Sequence, residues 1–507
     1  MSDLPLTDPG VVDALAGDLA AAGYDTSGVI DALGDAAHRA LSRGELWPAL
    51  RATRDGGPLA TLVRLFLLGA TEPGPAVAAA LPTVGVARAA GAGLLEQSGP
   101  GYRAALDVRP HGDDSGSGSG SGGEFLVVSD LDSDTRPGPV RPDHVLGIGA
   151  ASMSLARAVI RRPAGVALDV GTGCGIQALH LNSHVQSIIA TDTNPRALAL
   201  AAATARLNGQ RWDLRRGSLF EPVGGEQFDL VVSNPPFVVG AGDQRYEYRD
   251  SGFVGDGICE RFIRQVPAFL KPGGTAQLLA NWMIRTDSDW RDRIGSWLAD
   301  SGCDAWVVQR EIADPTEYVA LWCKDAGESP ADTAAVADAW LDWLDSEQVE
   351  GIGMGVVTLR STDGRPEVTL DQITGAGEEV TGPEADAFLA RRRWAAGVSD
   401  LALLATGLSL SNDVILEERA LAGHQGWTTV LRMLRRPRGP GATVQLDEWG
   451  RALLAGCTGA VPLGVLVDLL AAANGLDEHA LADAVLPSVR VAVTRGLLHP
   501  VDPGSGF

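Results

Sequence analysis

Residues 163–194 read PAGVALDVGTGCGIQALHLNSHVQSIIATDTN, and the architecture is decided there. An apolar run over 165–170 ends in a glycine-rich bend, a helical stretch follows, and a second apolar run over 187–192 ends in Asp192. Two such runs joined through a helix form a βαβ unit with parallel strands. The pattern continues with WDLRRG (212–217), FDLVVSNPP (228–236), GTAQLLAN (274–281), AWVVQRE (305–311) and EYVALWC (317–323), all read as strands. Helical spacing over 195–207, 257–270 and 287–300 separates most of them. The expected fold class is α/β, a mostly parallel sheet covered on both faces. Ligands in such sheets sit beyond the carboxyl ends of the strands, so the residues just after each strand are the candidates.

Three of those positions carry chemistry. The first is Asp169-Val170-Gly171-Thr172-Gly173-Cys174-Gly175. Its closely spaced glycines let the backbone turn tightly and approach a ligand without Cβ clashes. Position 176 is Ile, so the third glycine of the dinucleotide fingerprint is missing. The second is Asp192, whose carboxylate can accept both hydroxyls of a ribose. A helix N-cap is the competing role, but Asn194-Pro195 supplies a cap and a first helical residue by itself. The third is Asn234-Pro235-Pro236-Phe237. The two prolines have no N–H and a fixed φ, so they hold a rigid loop of carbonyl acceptors. A planar NH₂ group could donate to the Asn234 side-chain oxygen and the Pro235 carbonyl. Holding both hydrogens out of line aims the nitrogen lone pair at an incoming electrophile. Phe237 would stack on the planar substrate; a plain Asn-Pro-Pro turn is the alternative.

Taken in order, these motifs resemble the class I S-adenosylmethionine-dependent methyltransferases over residues 125–325. The quartet Asn234–Phe237 is similar to their amino-methylating branch, which includes release-factor glutamine methyltransferases and ribosomal RNA guanine-N2 methyltransferases. The resemblance implies a Rossmann-like sheet, S-adenosyl-L-methionine as cofactor and no metal. It implies Asp169, Gly171 and Gly173 at the methionine end, with Thr172 and Gly175 in the same cofactor-binding bend. Asp192 would take the ribose, and Asn234, Pro235, Pro236 and Phe237 would form the catalytic loop. Relatives often carry Gly-Asp-Leu-Phe after the third strand, where the Asp meets adenine. This chain has Gly217-Ser218-Leu219-Phe220, so Ser218 and Leu219 are expected at the adenine without a charge. His144, in a glycine-containing stretch that would cover the cofactor, reads as structural.

The flanks divide the chain into an expected helical N-terminal domain (1–120), a methyltransferase domain (121–365) and a mainly helical C-terminal domain (366–507). The N-terminal flank suggests either a winged helix or a helical cap, and the order of elements over 440–500 again suggests a winged helix. The tract DDSGSGSGSGG (113–123) is flexible by composition, as a linker or as a loop between two strands. The five scattered cysteines lack a CxxC pair and fit a reducing compartment. With neither a signal-peptide pattern nor a membrane-length apolar run, a cytoplasmic location is expected.

Acidic residues outnumber basic ones, 64 to 41, for a net charge of −23, so nucleic acid would need a local basic patch. Two clusters qualify: Arg391-Arg392-Arg393-Trp394, and Arg432 to Arg438. Ion pairing with the abundant carboxylates is the plainer reading of both. An exocyclic base amine of RNA or DNA is the first expected acceptor. A protein glutamine, a small-molecule amine, and a winged-helix regulator that only senses the cofactor are the alternatives.

Overall fold

The computed structural model describes residues 4–112 and 124–501, apart from 133, 134, 137, 326, 328, 329, 374, 376, 425 and 438. Two units divide the chain, Met1–Gly302 with Glu311–Asp363, and Cys303–Arg310 with Gly364–Phe507.

In the first unit the apolar runs become β1 (Ala164–Val170), β2 (Val185–Asp192), β3 (Asp213–Arg216), β4 (Phe228–Ser233), β5 (Leu270–Arg285) and β6 (Val349–Ser361). Among the described residues they lie in the order β6-β5-β4-β1-β2-β3. Neighbours pair in parallel, except that β6 runs antiparallel to β5. The chain starts in the middle at β1, steps outward through β2 and β3, then returns to the other side of β1. Strand order therefore reverses between β1 and β4, which is where a crevice opens. Val170 at the end of β1 stands opposite Ser233 at the end of β4. The Ser233 hydroxyl donates to the Val170 carbonyl at 2.8 Å. The glycine bend and the Asn-Pro-Pro loop thus leave the sheet side by side.

The connecting helices are α1 (Ala150–Ala158), α2 (Ile176–Leu181), α3 (Pro195–Leu207), α4 (Gly257–Gln265), α5 (Trp290–Leu298), α6 (Pro315–Asp325) and α7 (Pro330–Ser346). N-terminal to the sheet, Leu15 and Leu19 of the helix Pro9–Ala21 share one core with Leu200 and Leu207 of α3. Three short strands there, Glu72–Pro73, Leu95–Ser98 and Gly101–Ala104, lie with the last of them in the middle. Two helices, Gly74–Ala80 and Val86–Gly91, stand between the first and second of these strands. Strand residues 107–112 pair antiparallel with 124–129, so one ladder straddles the expected boundary at 120. The tract 113–123 lies outside the described residues.

One expected strand is a helix. EYVALWC (317–323) falls within α6. Its start signal is Asp314-Pro315: the Asp314 carboxylate accepts the Glu317 N–H at 2.9 Å, and proline occupies the first helical position. Tyr318, Val319 and Trp322, at helical spacing, pack inward.

In the second unit, residues 305–309 pair in parallel with 368–372. Strands Gly407–Leu410, Thr458–Pro462 and Leu498–Val501 form a small sheet against helices Leu463–Asn474 and Glu478–Thr494. No described helix is long and apolar enough to cross a membrane.

Candidate active site

The glycine bend is held from below. The N–H groups of Gly171 and Thr172 both donate to the Thr191 carbonyl, at 2.8 and 3.0 Å. Gly171 and Gly173 have φ of +73° and +55°, a left-handed geometry that favours glycine, and the space where a Cβ would stand is open. The Asp169 carboxylate accepts the Thr172 hydroxyl at 2.7 Å. Its other oxygen is buried without a hydrogen-bond partner. Burial pushes the Asp169 carboxyl up to about 7, with Asp192 adding to the effect.

Asp192 ends β2 beside the bend. One oxygen accepts the Gly173 N–H at 3.0 Å, the other the Asn194 N–H at 2.9 Å. Asn194 caps α3 itself, accepting the Arg196 N–H at 2.8 Å, with Pro195 in the first turn. Asp192 is therefore free of the helix cap but fixes the bend. Each of its oxygens keeps a lone pair for a ligand hydroxyl.

After β3 the chain turns through Gly217-Ser218-Leu219. The Asp192 carbonyl accepts the Gly217 N–H at 3.0 Å, and Leu219 has φ of +48°, a costly backbone state for a leucine. After β4 the Asn234 Oδ1 is enclosed and accepts no hydrogen bond. Such an acceptor costs about 1–3 kcal/mol until a donor arrives.

These four strand ends surround one cavity of ≈ 490 Å³, within the range of small-molecule sites. Gly171, Thr172, Gly173, Asp192, Ser218, Leu219, Asn234, Pro235 and Pro236 all line it. Three expected residues do not. Asp169 lies beneath the bend, and Gly175 caps α2 at a point where an added Cβ would collide with the Trp212 ring. Phe237 turns to the Trp322 ring, with centroids 6.2 Å apart. The expected stacking of Phe237 on a substrate in this cavity is thus replaced by an edge contact with α6.

Residues that the motifs did not flag form the roof, among them Gln244, Glu247, Tyr248 and Asp250. The Glu247 N–H donates to the Pro142 carbonyl at 2.9 Å, joining two covering segments. Tyr248 donates to Asp325 at 2.6 Å and meets the His144 ring edge-on. His144 is buried among the residues that line the cavity, and desolvation lowers its pKa. Arg216, also at the cavity, could have been found as the residue closing the third strand.

The arginine clusters lie in the second unit and are engaged. Arg391 pairs with Glu384, Arg392 with Glu367, and Arg393 with Asp304. Arg432 pairs with Glu418 and Glu448, Arg435 with Glu417, and Arg436 with Glu384 and Asp413. Arg438 lies outside the described residues. Among the described residues no group of three or more His, Cys, Asp or Glu side chains could hold a metal.

A parallel sheet reversing at a glycine bend, with an acidic residue on the next strand and Asn-Pro-Pro on the fourth, defines a class I methyltransferase fold. Residues 147–297 match the family model of the methyltransferase small domain, and the chain carries that domain. Residues 21–105 and 386–500 match models described as domains of unknown function.

A release factor glutamine methyltransferase of Geobacter sulfurreducens is 37% identical over 124 residues, 22% of this chain and 43% of that protein. A ribosomal RNA small subunit methyltransferase C of Alcanivorax borkumensis is 32% identical over 117 residues, 23% of this chain and 32% of that one. The chain thus spans less than half the length of either relative. A T. thermophilus 16S rRNA N2 methyltransferase solved with AdoMet and guanosine aligns at 16% identity over 42% of this chain and 53% of that one, with a TM-score of 0.28.

S-adenosylmethionine is the cofactor of this class, and the residues fit it. The cavity has the volume, the bend is open, and Asp192 beside it keeps a carboxylate on the cavity wall.

Proposed function

We propose that this protein transfers a methyl group from S-adenosylmethionine to a planar amide nitrogen, the side chain of a polypeptide glutamine. The observation that carries the reading is Asn234, a residue that lines the same cavity as the open glycine bend and whose side-chain oxygen accepts no hydrogen bond. When bound, the cofactor supplies an electrophilic methyl. The glycine bend and Asp192 hold and orient it. Asn234 Oδ1 and the Pro235 carbonyl take the two N–H bonds of the target, leaving its lone pair toward the bend. The roof over Glu247 and Tyr248 limits water at the reacting atoms. The product's extra proton is acidic enough to leave to water, so no dedicated base is required.

A glutamine is favoured over a base amine by charge. The net charge is −23, the arginine clusters are ion-paired, and Glu247 and Asp250 line the cavity with Arg216. Such a surface repels phosphates. The relative named as a glutamine methyltransferase supports the same choice. A second reading, an exocyclic base amine of RNA, rests on the relative named as a ribosomal RNA methyltransferase and on the same acceptor pair.

The test is labelled methyl transfer from S-adenosylmethionine into extracts of a strain lacking this protein, separated into protein, RNA, DNA and small molecules. Label in protein glutamine supports the proposal. Label in RNA moves the assignment to the second reading, and no label in any fraction refutes both.

A further inference from the structure

Beyond Asn234 the acceptor loop has little main-chain support of its own. Two prolines remove N–H donors, and Val238 donates to the Arg249 carbonyl at 3.1 Å. At Val239 the chain is fully buried, and both of its peptide groups are answered by side chains from distant elements. The Val239 N–H donates to the Tyr318 hydroxyl of α6 at 2.9 Å. The Val239 carbonyl accepts the indole N–H of Trp340, on α7, at 2.9 Å. The Tyr318 oxygen is itself located by Asn281 of β5, whose side-chain N–H donates to it at 3.0 Å. Val238 and Val239 share a hydrophobic cluster with Tyr318, Val319, Leu344 and Ile352. Phe237 meets Trp322 from the same helix. Helices α6 and α7 lie after residue 297, where the matched methyltransferase small domain ends.

We infer that Tyr318, Asn281 and Trp340 form a clamp on Val239 that sets the position of the Asn234–Pro236 acceptor loop. They are positioning residues for the methyl transfer proposed above, and the inference rests on that reading for its catalytic consequence. Hydrogen bonds from rigid helices to both sides of one residue fix its peptide planes. A loop five residues from the acceptor oxygen then has little freedom to swing. A displacement of about 1 Å at such a loop is enough to slow a reaction ~100-fold.

The experiment uses the full-length chain and the variants Tyr318→Phe, which keeps the ring and removes the hydroxyl that accepts from Val239 and Asn281, and Trp340→Phe, which keeps an aromatic ring and removes the N–H donated to the Val239 carbonyl. Hydrogen exchange read by mass spectrometry on peptides spanning 234–240 should lose protection by about tenfold in either variant. Calorimetric affinity for S-adenosylmethionine should stay within about twofold, because neither residue lines the cavity. Methyl transfer into the wild-type-labelled extract fraction should show kcat reduced by roughly tenfold or more, with KM for the cofactor unchanged.

Exchange and kcat both equal to wild type would overturn the clamp. So would a loss of protection spread over the whole first unit with loss of cofactor affinity, which marks a general structural role. If the wild type labels no fraction, the proposed function falls, and the exchange result alone still decides the clamp.

Discussion

Asp169→Asn separates stability from function at the bend. The wild-type carboxyl is buried, titrates at about 7 through desolvation, and leaves one oxygen without a partner. In the unfolded chain the same group titrates near its ordinary value of 3.8. Between the two values the folded state holds the extra proton, so stability falls as pH rises through that window. From pH 5 to pH 8 this loss comes to roughly 2.5 kcal/mol. The asparagine does not titrate and keeps an oxygen for the Thr172 hydroxyl. Its NH₂ is left buried without an acceptor, a penalty of about 1–3 kcal/mol that is the same at every pH. The informative quantity is therefore the slope. Urea unfolding of the first unit at pH 5 and pH 8 should show the variant gaining on wild type by about 2.5 kcal/mol across that range. Equal slopes in the two proteins would show that Asp169 is not held protonated by burial, and would refute the reasoning.

Other outcomes follow from the same geometry. Asn234→Ala should abolish methyl transfer while calorimetry finds cofactor affinity within a few-fold of wild type; retained turnover would remove Asn234 from the acceptor role. Asp192→Ala should weaken cofactor binding by roughly 1.5–3 kcal/mol, and a titration showing unchanged affinity would exclude the ribose contact. Arg436→Ala removes a bidentate partner of the largely buried Glu384, with contacts of 2.9 and 2.8 Å, and should lower the unfolding free energy of the second unit by about 1–3 kcal/mol. The same substitution should leave RNA retention on a filter unchanged at any salt, because that arginine is already paired.

The parts of the site legible in the sequence are those whose physics is local. A glycine bend, an Asp ending the next strand, and Asn-Pro-Pro each declare themselves within a few residues, and parallel topology alone brings them to one edge. Asn194-Pro195 shows its cap in two letters, which is why Asp192 stood out as available. What stayed hidden depends on partners far along the chain. Tyr318 meets Val239 across 79 residues, and Arg393 meets Asp304 across 89, so no local window shows either contact. The apolar run in EYVALWC imitated a strand, although Asp314-Pro315 just before it was a helix start. Phe237 looked like a platform for substrate because its partner, Trp322, comes from that same misread segment.

The most direct measurement is tandem mass spectrometry of proteins methylated by the purified enzyme with trideuteromethyl S-adenosylmethionine, run in parallel with Asn234→Ala. The account predicts the labelled methyl on a glutamine side-chain nitrogen, and its absence with the variant. Label on a carbon, an oxygen or a lysine amine, or equal labelling by the variant, would contradict a planar NH₂ held by Asn234 and Pro235.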